Sequence, residues 1–478
     1  MIVTSVPASK RRPNAYSEYK FVPAGQQLVP LPLRVVAVGV GSAAGTAAIE
    51  TPVQVFDEDD ADTKAGRGSD LALMLRKMFE QSALQGASPE IWAVRIAAPA
   101  GVAAANTITV TGPATASGTL TIRVAGRPIN VGVSTGDAAA TIASAIKAQL
   151  DTLAGEGSLP GTAGVAGAVV TLTHPHAGVT GNDVVLATES PVAGVGIAYA
   201  QSVAGTGVVD ITAAIDSLYD KQYDGIAIAN HAAADIADLT AHLAAAWGYS
   251  QQKPRHFFVG ERGSLGTALA LATAANDKGV IVLNAEGTGS TPGEVAAAGV
   301  LSWFAYEEPN INMDGQKLAL YAPIASLAYT DSEIESALAG GVTPLVPTAD
   351  GFLQIERLTT TATTIGGQPS EVLREPANSR TAAYMGRQIA ARFASEFRRE
   401  TLVTDPVEGL SVLDRIRDMV ISVQRAAESL GYIRDVDEFL DQVLVEEAIN
   451  APGRVNVTDP FRVAGPLHQA VFVHTMYL

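Results

Sequence analysis

Four stretches of the chain carry residue types that could do chemistry. In VAVGVGSAAG, residues 36–45, Gly39, Gly41 and Gly45 follow a β-branched run. Glycines behind a strand let the backbone approach a phosphate, provided a helix starts there and turns its N-terminal N–H groups toward it. The spacing here is G-x-G-x-x-x-G, and TAAIETPVQVF follows, whose Pro52 and β-branched residues predict extended chain. In DEDDAD, residues 57–62, carboxylates are dense enough for calcium. An EF-hand loop would need glycine sixth and glutamate twelfth, where Asp62 and Gly68 stand, so a solvated acidic turn is expected. The histidines are 174, 176, 231, 242, 256, 468 and 474, with His174-Pro-His176 the one close pair and no H-E-x-x-H spacing. They read as surface or satisfied polar residues. GERGSLG, residues 260–266, comes nearest to a nucleophile elbow but lacks the G-x-S-x-G pattern, and Ser264 caps a following helix equally well. The residues therefore assign no catalytic, cofactor-binding or metal-binding position, and call for no cofactor.

The elements around these stretches set the fold class. LRVVAVGVG (33–41) predicts a buried strand, SDLALMLRKMFEQ (69–81) an amphipathic helix with a serine N-cap, and EIWAVRIAA (90–98) another buried strand. Strand, helix, strand implies a parallel α/β sheet. At about residue 101 the texture turns to Thr, Gly and Val in period two. It holds one helix, DAAATIASAIKAQL (137–150), and predicts an inserted β-rich domain of order β-β-α-β-β over 101–204. The α/β texture returns at about 205, with helices over 209–220 and 233–248 and strands over 224–230, 255–260 and 279–285. Residues 31–100 and 205–358 thus form one discontinuous, doubly wound core domain. The Thr/Gly/Pro stretch 359–376 reads as a hinge-like linker, followed by helices at about 377–400 and 411–430 and short strands in an α+β C-terminal domain, 359–465.

Composition narrows the function. Of 478 residues, 47% are hydrophobic and 17% charged, ample for large cores. No apolar run approaches the roughly 20 residues of a membrane span, and the first residues lack the apolar stretch of a secretory signal. There is no cysteine, so disulfides and thiolate metal sites are excluded, and synthesis in a cytosol is the expectation. A net charge of −17 argues against a nucleic-acid binder. Residues 1–30 nevertheless carry Lys10, Arg11, Arg12 and Lys20 against Glu18 alone, and four prolines, which suits an extended basic arm on an acidic body.

Two features point to assembly. In 378–400, Met385, Ile389, Phe393 and Phe397 share one helix face, while Arg380, Arg387 and Arg398 fall together on nearly the opposite side. That stripe suits an acidic partner surface or a solvated outer face. The chain ends in PLHQAVFVHTMYL, whose alternating residues are apolar on both faces. Such a strand needs cover on two sides, which donation to another copy supplies, and head-to-tail donation builds rings or open helices.

The blocks VPASKRRPNAYSEY, ETPVQVFDEDDADTKAGRGSDLALMLRKMF with IWAVRIAA, GGVTPLVPTADGFLQIERLTTTATT, and VTDPFRVAGPLHQAVFVHTMYL occur in this order over almost the whole chain. They resemble the contractile-tail sheath proteins of bacteriophages, closest to those of Mu-like phages. The resemblance implies a virion structural protein, not an enzyme, made and assembled in the host cytoplasm. Its core would be subtilisin-like in topology without a working triad. Copies would polymerise as a helical sleeve around a tail tube protein, meet baseplate and tail terminator proteins, and contract to drive the tube through a cell envelope for genome ejection. No nucleic acid and no direct membrane insertion enter. The N-terminal arm (1–30, with Arg11, Arg12 and Tyr16) and the donated C-terminal strand (466–478, with Val471, Phe472, Val473, Met476, Tyr477 and Leu478) would join neighbouring copies by strand exchange. The C-terminal domain would face the tube through Arg380, Arg387 and Arg398, although the helix at 411–430 competes for that role. Two other readings stand beside it: an α/β nucleotide-binding enzyme using the 36–45 loop, and an array-forming surface or adhesion protein suggested by the Thr/Gly-rich insert.

Overall fold

The computed structural model describes residues 28–230, 232–323, 329–402, 411–451 and 453–468. The expected strand-exchange residues Arg11, Arg12, Tyr16, Val471, Phe472, Val473, Met476, Tyr477 and Leu478 lie outside the described residues. The chain divides into two compact units. The larger comprises Leu31–Ala383 and the segment from Gly465, and the smaller comprises Tyr384–Ala464 with the segment up to Pro30. The division thus falls within one helix, where a boundary at 358/359 is expected from composition.

The larger unit opens with β1 (Arg34–Val40), β2 (Pro52–Gln54), α1 (Glu58–Ala65), α2 (Asp70–Gln85) and β3 (Glu90–Ile96). The insert follows as β4 (Ala103–Thr111), β5 (Gly118–Val124), β6 (Arg127–Val133), α3 (Ala139–Gly155), β7 (Thr162–Ala166), β8 (Val169–Ala177), β9 (Leu186–Ser190) and β10 (Gly196–Val203). The core then resumes with α4 (Thr212–Asp216), β11 (Gly225–Ile228), α5 (Ala233–Ala246), β12 (His256–Glu261), α6 (Leu265–Ala275) and β13 (Val280–Asn284). It ends in α7 (Pro292–Phe304), β14 (Lys317–Tyr321), α8 (Asp331–Ala339), β15 (Val342–Pro347) and β16 (Phe352–Ile355).

The core sheet has nine strands in the order β14-β16-β15-β13-β12-β11-β1-β3-β2. Pairing is parallel from β15 through to β3, and antiparallel strands close both edges. Parallel strands buried on two faces need uninterrupted apolar runs, which VVAV, IAI and VIVL supply. Val35 and Ala37 face one apolar cluster with α2 and α7, whereas Val36 and Val38 face another with α4, α5, α6 and α8. Helices on both faces make the core doubly wound, as expected. α7 is buried along its whole length and apolar save for Glu294 and Ser302, which a surface helix could not be. A Thr291/Glu294 capping box starts it. Gly260 lets it lie close on β12, because a Cβ there would stand 2.0 Å from the Pro292 carbonyl oxygen.

The insert departs from the β-β-α-β-β expectation. Its seven strands form two sheets, β10-β4-β8-β7 and β6-β5-β9, around a core of their own. The β5–β6 turn places Ala125 and Gly126 at φ 47° and 79°, so a run that reads as one segment is a two-residue hairpin. Three further expectations change. Residues 57–62 begin a helix, with Asp57 as N-cap accepting from the Asp60 N–H at 2.8 Å, because carboxylates suit the positive end of a helix. The 209–220 helix shortens to Thr212–Asp216 followed by a 3₁₀ turn. The start of the 359–376 stretch is packed rather than hinge-like: Thr359, Thr360 and Thr361 are buried, and the Thr360 hydroxyl donates to the Leu373 carbonyl at 2.6 Å. A small ribbon follows, β17 (Thr364–Ile365) with β18 (Gln368–Pro369).

In the smaller unit, α9 (Pro376–Glu396, shared with the larger unit) and α10 (Val412–Ser429) are followed by β19 (Ile433–Arg434), β20 (Leu444–Glu447), β21 (Val455–Thr458) and β22 (Arg462–Val463). These strands pair as two separate ribbons, β19 with β22 and β20 with β21. Val412, Ile416, Met419, Val420 and Val423 of α10 form the cluster on which Met385 and Phe397 pack.

Candidate assembly surface

The arginine stripe of 378–400 is not a single open face. Arg380 is buried, and its guanidinium lies over the rings of Trp303 and Phe304. It donates to the carbonyl oxygens of Trp303, at 2.9 Å, and Tyr306. The Trp303 carbonyl lies in the last turn of α7 and that of Tyr306 just beyond it, so Arg380 satisfies an acceptor that a helix C-terminus leaves open and places a cation at its negative end. It therefore leaves the tube-contact set. Arg387 is half-buried and Arg398 exposed.

The apolar face is also altered. Met385 and Phe397 are buried and Ile389 is half-buried, but Phe393 is 42% exposed and stacks on Phe397. The buried line of α9 instead runs through polar residues. Gln388 is fully buried, and its amide both donates to the Val29 carbonyl and accepts from the Val29 N–H, each at 2.8 Å. This is the pattern of a strand partner, supplied by one side chain, and it ties residues 28–30 to the helix. Sequence reasoning missed Gln388; the signal was an uncharged amide one turn from Met385 on the inward side.

The ribbons are held to α10 by its polar residues. The Gln424 amide donates to the Pro460 carbonyl at 3.0 Å, and Arg417 donates to the Leu440 carbonyl at 3.0 Å. The β20–β21 ribbon pairs Leu444 with Thr458 through Glu447 with Val455. It has no third strand among the described residues, and Leu444 and Val457 are 51% and 41% exposed. Two-stranded ribbons are marginal alone, and both outer edges present unpaired N–H and C=O groups. In the larger unit, His468 is held between Asp314 (2.6 Å) and Glu375 (2.8 Å), which fixes the chain ten residues before its end.

The stretches singled out for chemistry are occupied by protein. A Cβ on Gly41 or Gly45 would stand within 2.8 Å of Ala65, and Arg95 donates to the Ser42 and Ala47 carbonyls at 2.7 and 2.9 Å. Gly41 and Gly45 thus serve close packing on the C-terminus of α1, and Gly39 packs against Leu71 and Met74 of α2. Ser264 is the N-cap residue of α6. His242 and His256 are buried. Burial, then the Arg255 guanidinium, holds His242 down at about 4; burial, then Arg380, holds His256 at about 3, with its Nε2 2.8 Å from Ser379 Oγ.

No family model matches the chain. It is 25% identical over 468 residues to the Mu-like prophage FluMu tail sheath protein of Haemophilus influenzae, spanning 95% of this chain and 94% of that one. The resemblance is to tail sheath proteins. Among solved structures, a sheath tail protein from Listeria innocua matches with a TM-score of 0.53 at 16% identity, covering 92% of this chain and 94% of that one. One from Desulfitobacterium hafniense matches at 0.51 and 15%, covering 94% and 97%. The sheath complex of an extracellular contractile injection system in its contracted state matches at 0.50 and 9%, covering 98% of each chain. These structures share the fold: a mixed α/β multidomain architecture with one large sheet and several smaller ones. The resemblance read from the sequence blocks is borne out. No helix among the described residues is long and apolar enough to cross a membrane.

Proposed function

We propose that this chain is the structural subunit of a contractile tail sheath, polymerising as a helical sleeve around a tail tube and contracting to drive the tube through the host envelope. The observation that carries the reading is the end-to-end similarity to a Mu-like prophage tail sheath protein. The open β20–β21 ribbon supports strand exchange: it offers two edges in each copy, and the 1–30 arm and the 466–478 strand are the segments to fill them in neighbours. Backbone hydrogen bonds hold such a joint while rigid bodies move, which suits a sleeve that rearranges. Contact with the tube protein falls to α9 through Arg387 and Arg398. Baseplate and tail terminator proteins bind the sleeve ends, the core is subtilisin-like in topology, and assembly takes place in the host cytoplasm before the virion is complete. The nucleotide-binding alternative has no support from the 36–45 loop, whose concave side is filled by Ala65 and Arg95.

Negative-stain electron microscopy of the concentrated full chain, beside a chain lacking 466–478, tests this. The full chain is expected to form rings or sleeves with a helical repeat, and the truncated chain to remain a folded monomer. Sleeves from the truncated chain would remove strand donation from the account.

A further inference from the structure

We propose that Asp70, His174 and His176 form a binding site for one divalent transition cation of the zinc class, fastening the insert to the core. The three groups come from two separate parts of the larger unit. Asp70 is the first residue of α2, behind the Ser69 N-cap, and the two histidines lie near the end of β8 in the insert. In a strand, residues two apart point to the same side, so His174-Pro-His176 presents both rings together.

The rings are set for ligation. His174 Nδ1 faces the His176 carbonyl oxygen at 3.2 Å, and His176 Nδ1 faces the Ala177 carbonyl oxygen at 3.0 Å. A carbonyl only accepts, so each Nδ1 carries the proton and donates it. That leaves both Nε2 atoms as the lone-pair atoms, the arrangement in which an outer carbonyl fixes the tautomer of a metal-binding histidine. Both Nε2 atoms point at the same carboxylate: His174 Nε2 lies 3.1 Å from Asp70 Oδ1, and His176 Nε2 lies 3.5 Å from Asp70 Oδ2. The His176 Nε2 lone pair accepts the Asp70 N–H at a long 3.4 Å, but His174 Nε2 and the carboxylate it faces are both acceptors. Something positive must lie between them, either one proton on His174 or a cation.

The spacing fits the cation. Donors about 2.0–2.1 Å from a tetrahedral zinc stand about 3.4 Å apart, and the ligand atoms of all three residues lie within 4.8 Å of one another. Both histidines are at least 94% buried, at 4% and 6% exposure, so bulk water competes little. The Thr180 hydroxyl donates to Asp70 Oδ2 at 2.5 Å and orients the carboxylate from outside. Two imidazoles and one carboxylate leave a fourth position for water or that hydroxyl. They are borderline ligands that suit zinc, cobalt or nickel over calcium or magnesium. Binding replaces the proton on His174 Nε2 and releases it, so affinity rises with pH through the histidine range.

The test is a cobalt titration of the full, untagged chain after dialysis against a chelator, at pH 7.5. One equivalent should saturate, with visible d–d absorption of a low-symmetry site, and zinc should displace it. His176→Gln should abolish the band, while His468→Gln, outside the cluster, should keep it. Zinc should raise the unfolding midpoint of the wild-type chain and leave that of His176→Gln in place. No saturable band in the wild-type chain would overturn the proposal whatever the variants do, and leave the cluster a buried aspartate–imidazolium pair. A band that persists in His176→Gln would overturn it as well.

Discussion

The two units handle their polar groups in opposite ways. In the larger one, charges are taken inside and matched there. Glu294, fully buried at the start of α7, meets Arg127 from the insert at 2.7 Å, and Lys77 of α2 pairs with Glu80, giving two cations and two anions in one cluster. Its sheet is closed at each edge by antiparallel strands. In the smaller unit, two helices share one apolar seam and the strands stop at two-stranded ribbons. The larger unit carries a nine-stranded sheet with helices on both faces, whereas the smaller has no sheet of more than two strands among the described residues. A subunit that must be a rigid block and also a link has reason to divide the two tasks.

The largest effect on the monomer is expected where the larger unit is most internally matched. Glu294→Ala would leave the buried Arg127 without its close counter-charge, with Glu80 shared between it and Lys77, which typically costs about 3–5 kcal/mol. Denaturant unfolding of the monomer measures it. Burial works against the Glu294 carboxylate, but Arg127 and Lys77 outweigh it and hold its pKa below the usual range. Glu294→Gln, keeping the volume, should therefore lose nearly as much. A loss within error of zero would mean the cluster is not needed to join insert and core.

A change in pH should separate the units without a mutation. Among the described residues, every histidine (174, 176, 242, 256 and 468) lies in the larger unit and none in the smaller. An unfolded histidine takes up its proton near pH 6.5, whereas His242 holds out to about 4 and His256 to about 3. Between those values the unfolded chain binds more protons, so stability is full above pH 6.5 and falls as pH drops toward 4. At pH 5 each group costs about 2 kcal/mol relative to pH 7.5. Hydrogen exchange should show β12 amides losing protection at pH 5 far more than those of α10. Equal losses in both would break the contrast.

How much of this was legible in the sequence follows the same divide. The parallel strands and α2 stood out because their apolar runs and 3.6-residue period have one interpretation once buried on two faces. The insert's strand count was hidden because a hairpin turn of Ala125 and Gly126 lacks the Asn-Gly signature. The arginine stripe misled for another reason. Periodicity places Arg380 on the outer face, yet a guanidinium over an indole that also caps a helix is stable inside, and no local pattern announces α7 as its partner. Asp70 lies more than a hundred positions before His174 and His176, so only the docking of the insert brings the three together.

A smaller loss is expected from Gln388→Ala, which removes both hydrogen bonds to the N–H and C=O of the half-buried Val29. About 1–3 kcal/mol should go, confined to the smaller unit. Protection of α9 amides should fall while β12 amides stay unchanged. If the loss were global, Gln388 would be stabilising the whole chain, and the smaller unit would not be the separate link the contrast requires.

The smallest effect on the monomer should be the most damaging to assembly. Leu444 and Val457 are exposed on the β20–β21 ribbon, and surface substitutions of this kind usually change stability by less than about 0.5 kcal/mol. Leu444→Lys with Val457→Lys places two charges where an incoming strand would lay apolar side chains, and lysine is what natural edge strands use to refuse partners. The purified double variant should unfold at the wild-type denaturant concentration and yet form no sleeves under the microscope. Sleeves of normal yield would show that the ribbon is not the acceptor, and would move the search to the β19–β22 pair. Loss of both folding and sleeves would mean the exposed residues stabilise the ribbon itself, and the division of labour between the units would have to be drawn elsewhere.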